Sequence, residues 1–179
     1  MIKKLNYKDF VVAVFAVSLL LGFGVEVNAQ RKSKSKRTRK VASNANTVLE
    51  QRKKGAEDVA IQIKNISKFV FVLGGVASGI EQIDKDVRDG KASREMADKN
   101  AKYKADVIRS IRALRAGIVK LEIDFRTKPG LKPYSNSIQG IVNGSNRAED
   151  SALAGNFRQA GNELLLVVET LADVLVEMP

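Results

Sequence analysis

The chain contains no cysteine and no histidine among its 179 residues, and only three prolines. An exported protein without cysteine has no disulfide framework and must be held together by packing alone. Without either residue type there is no conventional zinc site, no histidine ligand for haem, no cysteine nucleophile and no Ser/His/Asp triad. These absences argue against a hydrolase or a metalloenzyme. We therefore expect a non-enzymatic protein with no catalytic residues, no cofactor and no metal.

Regular apolar stripes fill most of the chain after residue 46. They predict long helices over about residues 47–89, 93–127 and 135–178, because apolar side chains recur every three or four positions. No segment alternates with period two for long enough to predict a strand. The predicted class is all-α, an antiparallel up-and-down helical bundle of three long helices with coiled-coil-like stripes. It becomes a bundle of four if the last segment breaks near Gly144.

Local signals mark the ends of these helices. Thr47, followed three residues later by Glu50, forms a capping-box signature for the first helix. Gly90 is typical of a helix C-terminus, and Ser93 can cap the second helix. Residues 126–134 hold two of the three prolines and one glycine, so the second helix ends there. Short connections of this kind favour antiparallel neighbours.

The first 29 residues have the pattern of a secretory signal peptide. Lysines precede an apolar run over residues 10–25, and Val27, Asn28 and Ala29 then offer a cleavage site with small or apolar residues at its first and third positions. Cleavage after Ala29 predicts a protein exported to the periplasm or secreted. The mature chain would then begin at Gln30.

Positive charge is concentrated directly after this predicted site. Seven of the ten residues 31–40 are basic and none is acidic. The basic residues are Arg31, Lys32, Lys34, Lys36, Arg37, Arg39 and Lys40. Of the 31 basic and 20 acidic residues in the chain, three basic and two acidic residues lie in residues 1–29 and seven basic residues in 31–40, which leaves 21 basic and 18 acidic residues for residues 41–179. We predict that residues 30–46 form a disordered basic tail and linker that supplies most of the net charge.

A polybasic tail attracts polyanions because its charges displace their counterions, and the affinity falls as salt rises. Residues 31–40 contain no aromatic side chain on which bases could stack, which favours lipid or envelope-polymer phosphates over nucleic acid. The sequence predicts a non-enzymatic cell-envelope interaction or structural protein that docks weakly on anionic surfaces. A protein partner or a homo-oligomer is also open. The simpler alternative is a solvated linker without a binding role.

Two further functions stay open. The positive-inside rule would hold the strongly basic flank in the cytoplasm, which makes residues 10–27 an alternative uncleaved membrane anchor. The protein would then be a membrane-anchored bundle whose basic segment binds nucleic acid or acidic protein. The apolar run of about 16 residues is shorter than the roughly 20 needed for a span, which favours cleavage. The third possibility is a bundle that binds a small ligand between its helices.

An apolar stretch in the first predicted helix, FVFVLGGVASGI at residues 69–80, holds Gly75 and Gly79 in a small-xxx-small spacing. Such glycines let two helix backbones approach closely. We predict that they serve helix packing in the core of the bundle, with self-association through the same face as the alternative. The stretch is too short to span a membrane by itself.

Other charged groups have ordinary explanations. Asp84, Asp86 and Glu95 take three positions of a calcium-binding loop, but Arg88 and Asp89 occupy the positions that need a ligand and a glycine. Two charged rows are predicted to flank the apolar stripes and to pair across helices, namely Arg109, Arg112 and Arg115, and Glu169, Asp173 and Glu177. The connection after the second helix carries a basic group with one aromatic residue, Arg126, Lys128, Lys132 and Tyr134, and is predicted to be a solvated turn.

Overall fold

A computed structural model describes the backbone of residues 38–178 and the side chains of residues 45–178. This part of the chain forms four α-helices and one 3₁₀ turn, and it contains no strand. The helices are α1 (Thr38–Arg88), α2 (Arg94–Thr127), α3 (Ile141–Leu153) and α4 (Phe157–Glu177), and the 3₁₀ turn is Lys132–Tyr134. The all-α class predicted from the apolar stripes is therefore confirmed for these residues.

The chain divides into two compact units, Met1–Ala45 and Asn46–Pro179. In the first unit the structure describes only the backbone of residues 38–45, which belongs to α1. The predicted signal peptide lies outside the described residues. The helix already includes residues 38–46, whereas the sequence predicts a linker there and a helix start at Thr47. Residues 41–46 hold neither proline nor glycine, so nothing in them interrupts helical hydrogen bonding.

The connection between α1 and α2 has the cap geometry that its sequence indicates. Gly90 has φ +69°, its amide donates to Val87 O at 3.2 Å, and the amide of Lys91 donates to Asp86 O at 2.8 Å. This pair of bonds is a Schellman cap, which satisfies carbonyls at the end of α1. The next helix begins three residues later, where Ser93 Oγ accepts from the amide of Met96 at 3.2 Å.

Contacts between α1 and α2 run in opposite directions along the two helices. The end of α1 meets the start of α2, where Asn100 donates to Ile80 O. Gln51, thirteen residues after the start of α1, lies beside the chain just after α2, and its Oε1 accepts from the Gly130 amide at 2.8 Å. Such a progression is the pattern of antiparallel neighbours.

The last segment is not one helix over residues 135–178, and the break does not fall near Gly144. Residues 135–140 form turns, and α3 and α4 are separated at Gly155, which has φ +82°. A second Schellman cap closes α3, since Gly155 N donates to Ala152 O and Asn156 N to Ser151 O. Gly144 lies inside α3, where a Cβ atom would stand 2.7 Å from Val167 Cγ2 on α4. It permits close helix packing rather than a break.

One hydrophobic cluster connects all four helices. Its fully buried large side chains come from α1, α2, α3, α4 and the connection between α2 and α3, and they are Ile66, Leu73, Ile80, Ile111, Ile118, Phe125, Leu131, Ile138, Ile141, Phe157, Leu164 and Leu171. The predicted stripes supply most of them. Three residues of the predicted stripes are exposed instead of buried, and they lie near helix ends. Val87, Met96 and Leu153 are 42%, 45% and 54% exposed.

Candidate functional site

The basic segment predicted to bind anions lies largely outside the described residues. Its first five cations, Arg31 to Arg37, are not described, and Arg39 and Lys40 belong to the first turn of α1. Nothing in the geometry tests their role. The segment therefore stays a candidate on the strength of its charge.

The outward side of α1 carries an exposed aromatic residue beside two exposed glycines. Phe71 is 85% exposed, and Gly75 and Gly79 are exposed beside it. A Cβ atom built on either glycine would have no described atom within 4 Å. The predicted packing of a neighbouring helix on these glycines inside the core is thus not observed among the described residues, and self-association stays a prediction.

The orientation of this side follows from the helix period. The buried residues of the same stretch are Phe69, Leu73, Ala77 and Ile80, spaced by threes and fours. At 100° per residue, Gly75 lies on the opposite side of the helix from Leu73 and Ala77. The core therefore takes one side of α1 and leaves the other uncovered by described residues.

Among the described residues, the helix from Ala45 to Arg88 is long and apolar enough to cross a membrane by length and composition. Only 22% of its most apolar window is buried. This low value reflects the single buried side of α1.

A buried carboxylate on α3 joins two arginines of α2. Glu149 Oε1 accepts from Arg112 Nε at 2.6 Å, and Glu149 Oε2 accepts from Arg115 Nη1 at 2.5 Å. The glutamate side chain is 10% exposed, whereas those of Arg112 and Arg115 are 57% and 42% exposed. Hydrogen bonds from Arg112 and Arg115 hold the pKa of Glu149 below its ordinary value, although burial opposes them. The arrangement fixes α3 against α2.

The pairing across helices that the sequence predicts for the arginine row of α2 is observed for two of its three members, and the sequence does not identify their partner. Arg112 and Arg115 contact Glu149, while Arg109 pairs within its own helix with Asp106 at 2.9 Å. The acidic row of α4 has other surroundings. Glu169 and Asp173 are exposed, and Glu177 accepts from Ser137 Oγ.

A second polar cluster joins the end of α1 to the start of α2. Asn100, 1% exposed, donates through Nδ2 to Ile80 O at 3.2 Å and to Asp84 Oδ1 at 2.8 Å. Lys104 Nζ lies 2.8 Å from the other oxygen of Asp84. Sequence reasoning missed this cluster. The sequence does contain a signal for this cluster. Asn100 lies three residues before Tyr103, which belongs to the apolar stripe, and it therefore falls on the buried side of α2.

The three carboxylates of the rejected calcium loop lie apart in partnerships of their own. Asp84 accepts from Asn100 and Lys104, Asp86 accepts from Gln82 Nε2 at 2.8 Å, and Glu95 pairs with Lys99. Within the described residues, no group of three acidic side chains is placed to hold a metal ion.

The basic connection after α2 is partly neutralised by acids one turn earlier. Arg126 pairs with Glu122, and Lys128 Nζ lies 2.9 Å from Asp124 Oδ2. Burial acts to raise the pKa of Asp124, but the neighbouring lysines Lys128 and Lys120 outweigh it and lower that pKa. Lys132 is exposed, and the ring of Tyr134 packs against the core.

An open groove of about 540 Å³ lies between α2 and the start of α3. Its lining includes Ile123, Val142 and Asn143 together with the paired Glu122 and Arg126. Because the two charges neutralise each other, the groove presents apolar and amide groups rather than a charged centre. The ligand-binding alternative predicted from the sequence would use this groove.

No family model, curated protein or solved structure matches this chain. A function must therefore come from the chemistry and geometry of its own residues.

Proposed function

We propose that this protein is a non-enzymatic component of the cell envelope, an exported helical bundle that docks on anionic surfaces through residues 31–40. The proposal has two parts, a folded helical body and a separate source of positive charge.

The bundle part is supported by contacts that link each helix to others. Asn100 joins α2 to α1, Glu149 joins α3 to α2, and Arg147 Nε on α3 lies 2.8 Å from Glu163 Oε2 on α4. The ring closes where Arg158 of α4 donates to Glu81 of α1 at 2.8 Å. Four helices linked in this cyclic order are compatible with an up-and-down bundle.

The docking part rests on the separation of charge along the chain. Residues 31–40 hold seven basic residues without an acidic one, while residues 41–179 are nearly balanced. In the described residues, many cations already have acidic partners, among them Lys104, Arg112, Arg115, Arg126, Arg147 and Arg158. A polyanion therefore meets the largest concentration of uncompensated positive charge in residues 31–40.

The expected strength is moderate and depends on salt. Each Lys or Arg near an anionic membrane contributes about 1 kcal/mol, and the attraction falls off within a Debye length. Seven such residues suffice for binding at low salt, and we expect most of it to be lost between about 50 and 200 mM salt.

The test is sedimentation of the native protein with phosphatidylcholine vesicles that contain or lack phosphatidylglycerol. A variant with Arg37, Arg39 and Lys40 changed to Gln should bind the anionic vesicles several-fold more weakly. The matched control changes the exposed residues Lys53, Lys102 and Lys132 to Gln, which removes the same charge from the folded body. Equal losses in both variants would show that net charge, not the segment, determines binding. Unchanged binding in the first variant would refute the docking role.

Export is tested separately by the intact mass of the native protein. A chain that begins at Gln30 supports cleavage after Ala29 and export. A chain that retains residues 1–29 refutes export as a cleaved protein.

The second candidate is a membrane-anchored bundle with a cytoplasmic basic segment. The observation that favours it is the charge around residues 10–27, since three lysines precede this run and seven cations follow residue 30. It predicts that the intact chain fractionates with membranes and resists extraction by high salt. Release by salt alone would contradict it.

A further inference from the structure

The side of α1 on which no described residue packs combines a protruding aromatic residue, two glycines and charges of both signs. Gly75 and six further residues, each within about 40° of it around the axis at 100° per residue, share one side of the helix. This α1 outer face consists of Lys64, Lys68, Phe71, Gly75, Gly79, Gln82 and Asp86. All are exposed except Asp86, which is half-buried, and no described residue packs on the glycines.

We propose that a second copy of this chain binds the α1 outer face, with the two α1 helices antiparallel and a two-fold axis beside Gly75. The interface is then isologous. Whenever one residue of the first copy contacts another residue of the second, the reverse contact between the same two positions also forms. This association does not depend on residues 31–40 and is independent of docking on anionic surfaces.

The shape of the face is complementary to itself only in this arrangement. Phe71 lies four residues before Gly75 and Gly79 lies four residues after it, each about 6 Å along the helix axis. A two-fold axis beside Gly75 therefore brings Phe71 of each copy to the same level along the helix axis as Gly79 of the other. Phe71 is 85% exposed, and no described atom lies within 4 Å of a Cβ built on Gly79. The aromatic ring fills a depression that the missing side chain leaves.

The charges favour the same orientation. Lys64 and Asp86 lie eleven residues before and after Gly75, so the antiparallel arrangement sets each lysine against an aspartate of the other copy. Lys68 similarly meets the amide of Gln82. A parallel pair would instead place Lys64 against Lys64 and Lys68 against Lys68, which is unfavourable at an apolar seam. This charge pattern distinguishes a second copy from a lipid surface, which makes no use of an aspartate matched to a lysine.

The absence of cysteine makes a direct test possible, because single cysteines can be introduced without competitors. Under mild oxidation of the native protein, Gly75→Cys should form a disulfide-linked dimer quickly, since the two copies meet at this position. Val176→Cys on α4, where the native side chain is 86% exposed, measures cross-linking by random collision. Equal rates for the two variants would refute the interface.

Orientation is tested by mixing two variants. Lys64→Cys mixed with Asp86→Cys should form a heterodimer, whereas Lys64→Cys alone should not cross-link faster than Val176→Cys. The two positions are about 33 Å apart on one helix, so a bond between them must join two copies. Fast self-linking of Lys64→Cys would overturn the antiparallel arrangement.

Sedimentation velocity tests the Phe71 contact without cross-linking. Gly79→Leu should weaken dimerisation by at least tenfold because it fills the depression, whereas Gly74→Leu should leave it unchanged. Both glycines are exposed with open space at the Cβ position, but Gly74 lies about 100° away from Gly75 around the axis. A monomeric native protein that binds neutral vesicles through α1 would overturn the proposal in favour of a lipid surface.

Discussion

Arg112 Nε lies 2.6 Å from Oε1 of Glu149, and the second oxygen of that carboxylate accepts from Arg115 one turn further along α2. The acid is nearly buried on α3, whereas both guanidinium groups remain about half-exposed. The contact is therefore asymmetric, because water replaces the partner of the arginines more readily than the partners of the acid.

Removing the arginines should cost more stability than removing the acid. Glu149→Ala leaves two hydrated arginines, and we expect a loss of about 1–3 kcal/mol, typical of hydrogen bonds to charged groups. Arg112→Ala combined with Arg115→Ala leaves an unpaired carboxylate in a nearly dry site, and we expect about 3–5 kcal/mol. Urea unfolding at neutral pH measures both. Arg109→Ala is the control, since its exposed pair with Asp106 should contribute less than about 1 kcal/mol.

The contribution of Glu149 to the free energy of unfolding should disappear in acid. Its pKa in the folded protein is lowered from the ordinary value of 4.5, so the unfolded chain binds the proton more readily. The stabilisation is fully present above pH 4.5 and is lost as the pH falls through the lower folded value. The difference in unfolding free energy between the native protein and Glu149→Gln should therefore shrink below about pH 4.5. A difference that stays constant or grows in acid would contradict this assignment.

The core could be predicted from the sequence because helix burial has a local signature. The spacing of threes and fours identifies Val107, Ile111, Ile118, Leu121 and Phe125 on α2, and all five are buried. The same period also defines the uncovered side of α1, where Gly75 faces away from Leu73. That side could have been found by projecting every residue of the helix, not only the apolar ones.

The break between α3 and α4 was hidden by the same regularity. Leu153 and Phe157 keep a spacing of four across the break, so the stripe continues while the helix does not. The positive φ of Gly155 and the cap hydrogen bonds of Gly155 and Asn156 show that the chain turns there. The partner of Arg112 was hidden for a different reason, since Glu149 lies on a separate helix, α3, that begins at Ile141. Contacts between helices depend on which faces meet, and the spacing along one helix does not contain that information.

Gly144 and Val167 should show strong coupling in a double-mutant cycle. A Cβ at position 144 would stand 2.7 Å from Val167 Cγ2, so Gly144→Ala should destabilise the protein by about 1–3 kcal/mol through overpacking. In a Val167→Ala background the obstructing methyl is absent, and the same change should be neutral or stabilising. We expect a coupling energy of about 0.5–3 kcal/mol from thermal or urea unfolding. Simple additivity of the two substitutions would contradict the close approach of α3 and α4.

The same Gly→Ala substitution should have opposite signs at two other sites. Gly74 lies within α1 with open space at its Cβ position, so alanine should stabilise the protein by about 1 kcal/mol through helix propensity. Gly155 has φ +82° in the cap of α3, where a side chain is strained, so alanine should cost about 1–2 kcal/mol. Gly155→Asn should recover part of this loss, because asparagine tolerates the left-handed conformation better than alanine. If both alanine variants were stabilised in urea unfolding, the turn at Gly155 would not have the left-handed backbone that separates α3 from α4.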